Sequence, residues 1–134
     1  MTRAHQTLIR VYYEDTDFSG NVYHAAYLKF FERGRTEFLR DAGIHHQELA
    51  AEGLAFAVRS MQIEFLAAAH IDDQLLVTTD VEVIGGARLV LVQKISRDAV
   101  LLTETRVVVA AIKMGGGAAR MPDKLRVALR ANSP

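Results

Sequence analysis

Residues 7–14, TLIRVYYE, are rich in β-branched and aromatic side chains and run into the acidic, glycine-containing DTDFSG, which predicts a first strand closed by a polar loop. From 22 to 42 the hydrophobic period lengthens to that of a helix. Tyr27, Phe30, Phe31, Gly34 and Phe38 share one stripe, with Lys29, Glu32, Arg33 and Arg40 largely opposite. The expected helix has about five to six turns, with Asn21 as N-cap, Gly43 as the left-handed residue after its end, and Arg40 in the last turn, where the helix dipole favours a cation. Gly34 interrupts the apolar stripe at a cost of about 1 kcal/mol against alanine, so another part of the chain should pass close to it. A short second helix over 45–52 closes at Gly53.

Beyond Gly53 the pattern turns to strands. Residues 54–66 form one; 75–84 form the next, with Val77, Val81 and Val83 alternating against Thr78, Asp80 and Glu82; 88–96 and 101–112 follow. Gly85 with Gly86, and Arg97 with Asp98, leave connections too short for crossover helices, so these strands pair antiparallel. Strand, long helix, then a run of strands is an α+β order, and a sheet curled round the helix is the obvious way to cover it. Gly115, Gly116 and Gly117 read as a hinge leading to a C-terminal tail over 115–134, in which Pro122 and Asp123 start a short helix carrying Lys124, Arg126 and Arg130. No internal repeat is found, and 1–134 is read as a single domain.

Composition narrows the class. With 134 residues, half of them hydrophobic, 24% charged and two prolines, the chain is long enough for one core and unlike a disordered or low-complexity segment. Sixteen basic residues balance sixteen acidic ones, so neither nucleic acid nor an anionic membrane is the expected partner. The absence of cysteine excludes disulfides, thiol nucleophiles and thiolate metal sites. The opening MTRAHQTLIRVYYEDTD meets charges too early for a signal peptide or membrane span, and a cytoplasmic setting is expected.

The densest set of reactive groups is YYEDTDFSGNVYH, from Tyr12 to His24. Glu14, Asp15 and Asp17 read in three ways. They are solvated turn acids, or with His24 they are metal ligands, although their spacing is not diagnostic of any metal. Alternatively, one carboxylate stands beside a helix N-terminus whose unpaired N–H groups can hold a polarised carbonyl oxygen. The third arrangement suits hydrolysis of activated acyl groups, thioesters above all, because a thiol of pKa about 8.5 leaves without a strong proton donor. No G-x-S-x-G elbow is present. His45 and His46 read as the polar start of the short helix rather than as metal ligands, and no metal site is expected.

The run VYYEDTDFSGNVYHAAYLKFFERGRTEFL over 11–39 closely resembles the YbgC family of hotdog-fold acyl-CoA thioesterases, the Tol-Pal-associated branch of the 4-hydroxybenzoyl-CoA thioesterase group. Weaker similarity continues through AFAVRSMQIEFLAAAHIDDQLLV over 55–77. The resemblance implies a five-stranded antiparallel sheet wrapped round one long helix. It also implies chains joined edge to edge as a homodimer or dimer of dimers, with active sites at the interface. The catalytic aspartate of the family's D-x-x-G step falls on Asp17, and the backbone N–H that polarises the thioester carbonyl falls on His24, whose ring reads equally as a group orienting water or Asp17, as a bystander to its own N–H, or as a structural histidine. The implied reaction is hydrolysis of an acyl-CoA, or of an acyl group on acyl carrier protein, with Asp17 as general base or nucleophile. Coenzyme A is then part of the substrate, and no separate cofactor is expected.

Tyr13, Phe18, Gly20 and Tyr23 are the candidate acyl-pocket residues. Among Arg59, Arg88, Lys94, Arg97, Arg120 and Lys124, the candidates for the phosphates of coenzyme A are Arg88, Lys94 and Arg97. The chain departs from the family pattern at Phe18, Ser19 and Asn21, at Ala67, Ala68 and Ala69 where a proline is common, and at His70. Two other functions share the fold. A hydratase would place an aspartate and a histidine five apart around a proline, whereas Asp17 and His24 are seven apart with none between; a non-enzymatic acyl-binding module would have lost the acid.

Overall fold

The computed structural model describes residues 4–131. Five strands, β1 (His5–Arg10), β2 (Leu54–Phe65), β3 (Gln74–Ile84), β4 (Arg88–Arg97) and β5 (Val100–Lys113), form one antiparallel sheet in the order β1-β3-β4-β5-β2. Helices α1 (Ala26–Asp41), α2 (His46–Ala51) and α3 (Asp123–Ala131) complete it. Register shifts at Val58/Ser60 in β2 and at Val81/Val83 in β3 bend these strands, and the sheet closes round α1. The expected α+β hotdog arrangement is the one found.

The buried stripe of α1 seats against the sheet as its period requires. Tyr27, Phe30 and Phe31 pack with Leu75, Val77, Ile95 and Leu102, while Phe38 and Leu39 pack with Leu89, Leu91, Val107 and Val109. Gly34 lies between these two clusters, and the reason for it is steric: a Cβ there would stand 2.6 Å from Val77 Cγ1. One polar tie crosses the same layer. The fully buried Gln93 amide donates to the Phe31 carbonyl and to Thr79 Oγ1, each at 3.0 Å, and its oxygen accepts from Arg35 at 3.0 Å. Burial lowers the Arg35 pKa against the opposing charge of Glu32.

The largest differences from the sequence reading are at the end of β1 and the start of α1, and the remaining element bounds agree within one or two residues. β1 ends at Arg10 rather than 14, because the chain folds at Tyr12: the buried Asp15 carboxylate accepts from Tyr12 N–H at 2.9 Å and closes a 3-10 turn over Tyr13–Asp15. α1 begins at Ala26 rather than 22, because Val22 N–H donates to Ala69 at 2.8 Å and Tyr23 N–H to Asp15 at 2.9 Å, which holds this stretch extended. Asn21 is therefore no N-cap; the cap position is Ala25, without a side-chain bond. Arg97 remains in β4, and the following turn is made by Asp98, at φ +55°, with Ala99.

The C-terminal end does fold at its glycines, Gly116 and Gly117 having φ of +109° and +91°, but it returns onto the body. Ala118 bridges Ile112, Met121 N–H donates to Gly86 at 2.6 Å, and Met121, Leu125 and Leu129 are buried in the core.

Candidate active site

The acidic loop is built as a tight return. Asp17 N–H donates to Asn21 O at 2.9 Å and Gly20 N–H to Asp17 O at 3.1 Å, with Gly20 at φ +83°, where a side chain would be strained. The exposed Asp17 carboxylate is held through one oxygen, since Oδ1 accepts from Ser19 N–H at 2.8 Å and from Ser19 Oγ at 2.5 Å. These bonds, the hydroxyl first, hold the Asp17 pKa below the ordinary carboxylate value against the opposing effect of burial, and Asn21 N–H adds the smallest contribution. Asp17 is an anion at neutral pH, which is the state a general base or a nucleophile needs.

Residues 66–73 meet this return from the other side. Asn21 and His70 form a bridge, with His70 Nδ1 2.7 Å from Asn21 Oδ1, and Ile71 N–H donates to Gly20 O at 3.0 Å. The Tyr27 hydroxyl accepts from Ala69 N–H at 3.0 Å, and burial raises its pKa, so it stays a phenol at neutral pH. Behind the loop, Asp73 accepts from Arg97 at 2.7 Å and from His70 N–H at 2.9 Å, while Arg97 also donates to Ala68 O at 3.2 Å. The alanines and His70 are thus a braced wall.

Between the two lies an open groove of about 500 Å³, lined by Asp17, Asn21, Tyr23, His24, Tyr27 and the 65–68 segment among others. The His24 ring leans on Tyr23, with centroids 4.4 Å apart, and meets Phe65 edge-on at 6.4 Å. His24 N–H donates to no backbone carbonyl among the described residues, and so is free to receive an acceptor. A carboxylate anion, an unpaired N–H and apolar walls in one groove can hold and attack a polarised acyl carbonyl.

The match to the Thioesterase-like superfamily model runs over residues 11–129, which takes in the acidic loop, the braced wall and most of α3. The chain belongs to that superfamily. Within it the chain is 45% identical over 108 residues to the acyl-CoA thioesterase YbgC of Haemophilus influenzae, covering 80% of this chain and 79% of that one. It is 46% identical over 105 residues to an Escherichia coli acyl-CoA thioester hydrolase YbgC, covering 78% of each. A probable thioesterase from Bartonella henselae has the same fold at a TM-score of 0.86 and 45% identity, over 90% of this chain and all of that one.

In this thioesterase-superfamily chain, Asp17, Tyr23 and His24 are brought together in the groove. Gly20 shapes the loop and does not line it. Tyr13 and Phe18 project into solvent at 83% and 104% exposure, away from the groove walls. Arg97 braces the wall from behind. Lys94 is exposed on β4, in register with Thr78 and Glu104, and Arg88 flanks a recess with Arg59, beside Ala57 and Val58 towards the far end of β2. Neither Lys94 nor Arg88 lines the Asp17 groove. Among the described residues there is no cluster of His, Asp and Glu able to hold a metal, and no helix long and apolar enough to cross a membrane. The sequence reading missed Phe65, Leu66 and the Tyr27 hydroxyl as parts of the site: the first two read as a strand end, and Tyr27 read only as part of the core stripe.

Proposed function

We propose that this chain hydrolyses acyl-CoA thioesters with Asp17 as the catalytic carboxylate. The observation that carries the reading is an ionised, doubly bonded Asp17 in the same groove as the unpaired His24 N–H, on a chain that is 45% identical to a thioesterase. Asp17 takes a proton from water as the water oxygen bonds to the thioester carbon, and the carbonyl oxygen gathers charge against His24 N–H. The C–S bond then breaks, and the coenzyme A thiolate leaves. On the nucleophilic route, Asp17 itself bonds to the carbon as the C–S bond breaks and the thiolate leaves, and water then cleaves the mixed anhydride to the free acid and the Asp17 carboxylate. Tyr23, Tyr27 and Phe65 supply apolar surface for the acyl group.

The working unit in this proposal is a dimer. β2 is an unpaired sheet edge, and it ends at Phe65 on the rim of the groove, with Phe65 and Leu66 half exposed. Antiparallel pairing of two β2 edges covers this rim and carries the Arg59 and Arg88 end of one copy toward the groove of the other, where the phosphates of coenzyme A need cations. The test is release of free thiol from a panel of acyl-CoA and acyl-carrier-protein thioesters of graded length and aromaticity. Turnover of at least one is expected; binding without turnover across the panel would leave only an acyl-binding module.

A further inference from the structure

The loop that carries Asp17 is fixed through its backbone. The Thr16–Val22 and Asn21–His70 bridges, with Val22 N–H on Ala69 O and Ile71 N–H on Gly20 O, leave the main chain little freedom. The carboxylate itself is exposed, so the remaining freedom is rotation of the Asp17 side chain. Two hydrogen bonds meet it, both from Ser19 and both on Oδ1, with the Asn21 N–H adding a smaller pull from nearby; among the described residues no hydrogen bond is made to Oδ2. The Ser19 hydroxyl is itself oriented, because it lies 3.4 Å from Asn21 N–H, which donates to it while its own proton goes to Asp17. The amide contact is ordinary turn geometry and survives any substitution at 19 that keeps the turn. The hydroxyl contact does not, which makes its contribution separable.

We infer that Ser19 is a positioning residue for hydrolysis: its hydroxyl pins Asp17 Oδ1 and leaves Oδ2 as the oxygen that takes the proton from water or attacks the thioester. This inference rests on the reading of Asp17 given above. Pinning one oxygen removes the rotamers in which neither faces the carbonyl carbon, and removing such an orienting contact is felt in kcat more than in binding. Because the bond is to the charged form, its loss also raises the pKa of Asp17 and moves the acid limb of the rate profile to higher pH. The other ionisable groups near Asp17 are Glu14 and Asp15 on its own loop, Tyr23, His24 and Tyr27 across the groove, and His70, Asp73 and Arg97 on the facing loop. All of these stay in place when only residue 19 changes.

The experiment compares Ser19→Ala, Ser19→Thr and Asp17→Asn with wild type, measuring kcat, KM and the acid limb of kcat/KM on one thioester. Ser19→Ala is expected to lower kcat about tenfold with KM within about twofold and to shift the acid limb upward, while Ser19→Thr restores both to near wild type. If Asp17→Asn is inactive and Ser19→Ala keeps wild-type kcat and acid limb, the role of Ser19 is overturned and that of Asp17 stands. A Ser19→Ala loss as deep as that of Asp17→Asn also overturns it, by making the hydroxyl a participant in bond making. Activity in Asp17→Asn removes the reading beneath it.

Discussion

At the scale of residues, the acidic loop stands out in the sequence and the resemblance singles out Asp17 in its D-x-x-G step; the structure adds how that side chain is held. The bond from Ser19 was not legible: a serine two residues on from an aspartate reads as turn chemistry, and only the fold shows the hydroxyl committed to one oxygen. His70 is similar. Nothing local pairs it with Asn21, 49 residues away, until the two loops meet. His24 offers a sharp test because its backbone and ring have separable roles. Alanine keeps the N–H and favours a helix start, so His24→Ala is expected to cost no more than about tenfold in kcat. A loss of about 10² or more would place the ring, not the amide, in the chemistry.

At the scale of elements, the strands and the core stripe of α1 were read correctly because their periods differ sharply, and the two larger boundary differences came from hydrogen bonds that periodicity does not show, Tyr12 N–H to the Asp15 carboxylate at the end of β1 and Val22 N–H to Ala69 before α1. Gly34 is the place where element packing was visible in one letter. Gly34→Ala gains helix propensity of about 1 kcal/mol but drives a Cβ against the stiff Val77 side chain and within 3.1 Å of Gln93 Nε2. Net destabilisation of about 1–3 kcal/mol is expected from overpacking, read as a lower urea midpoint at unchanged slope. A midpoint at or above wild type would show that the helix can move away at no cost.

The facing loop gives a second element-scale test, since the Asp73–Arg97 pair braces the 66–73 segment. Burial alone would raise the Asp73 pKa, but the His70 N–H and the Arg97 contacts outweigh it and leave it lowered. A lowered folded-state value means the stabilisation is complete above the ordinary carboxylate pKa and is lost as pH falls through the folded value. Asp73→Asn is therefore expected to cost about 1–3 kcal/mol near neutrality, with the gap to wild type closing in acid. A gap independent of pH would contradict the assignment of the charge.

At the scale of the whole molecule, the α+β order and the wrapped helix followed from the sequence, while the groove did not, because its walls come from segments some 50 residues apart. The C-terminal segment reads differently in three dimensions as well: its hinge glycines return the chain so that α3 seals the core beside Phe38 and Leu49. The unpaired β2 edge beside the groove carries the prediction of assembly. Sedimentation at assay concentration is expected to show a dimer or a dimer of dimers, and a fully active monomer would contradict the interface role of β2.

The central claim is that the Asp17 carboxylate performs thioester hydrolysis in this fold. The most direct test is turnover by Asp17→Asn on the thioester that wild type cleaves best, with coenzyme A binding and the melting temperature measured on the same sample. The amide is nearly the same shape and cannot act as base or nucleophile, so kcat should fall by about 10² or more while binding and melting stay near wild type. A variant that keeps more than about a tenth of wild-type kcat would contradict the account, because general-base catalysis alone contributes about 10²–10⁴.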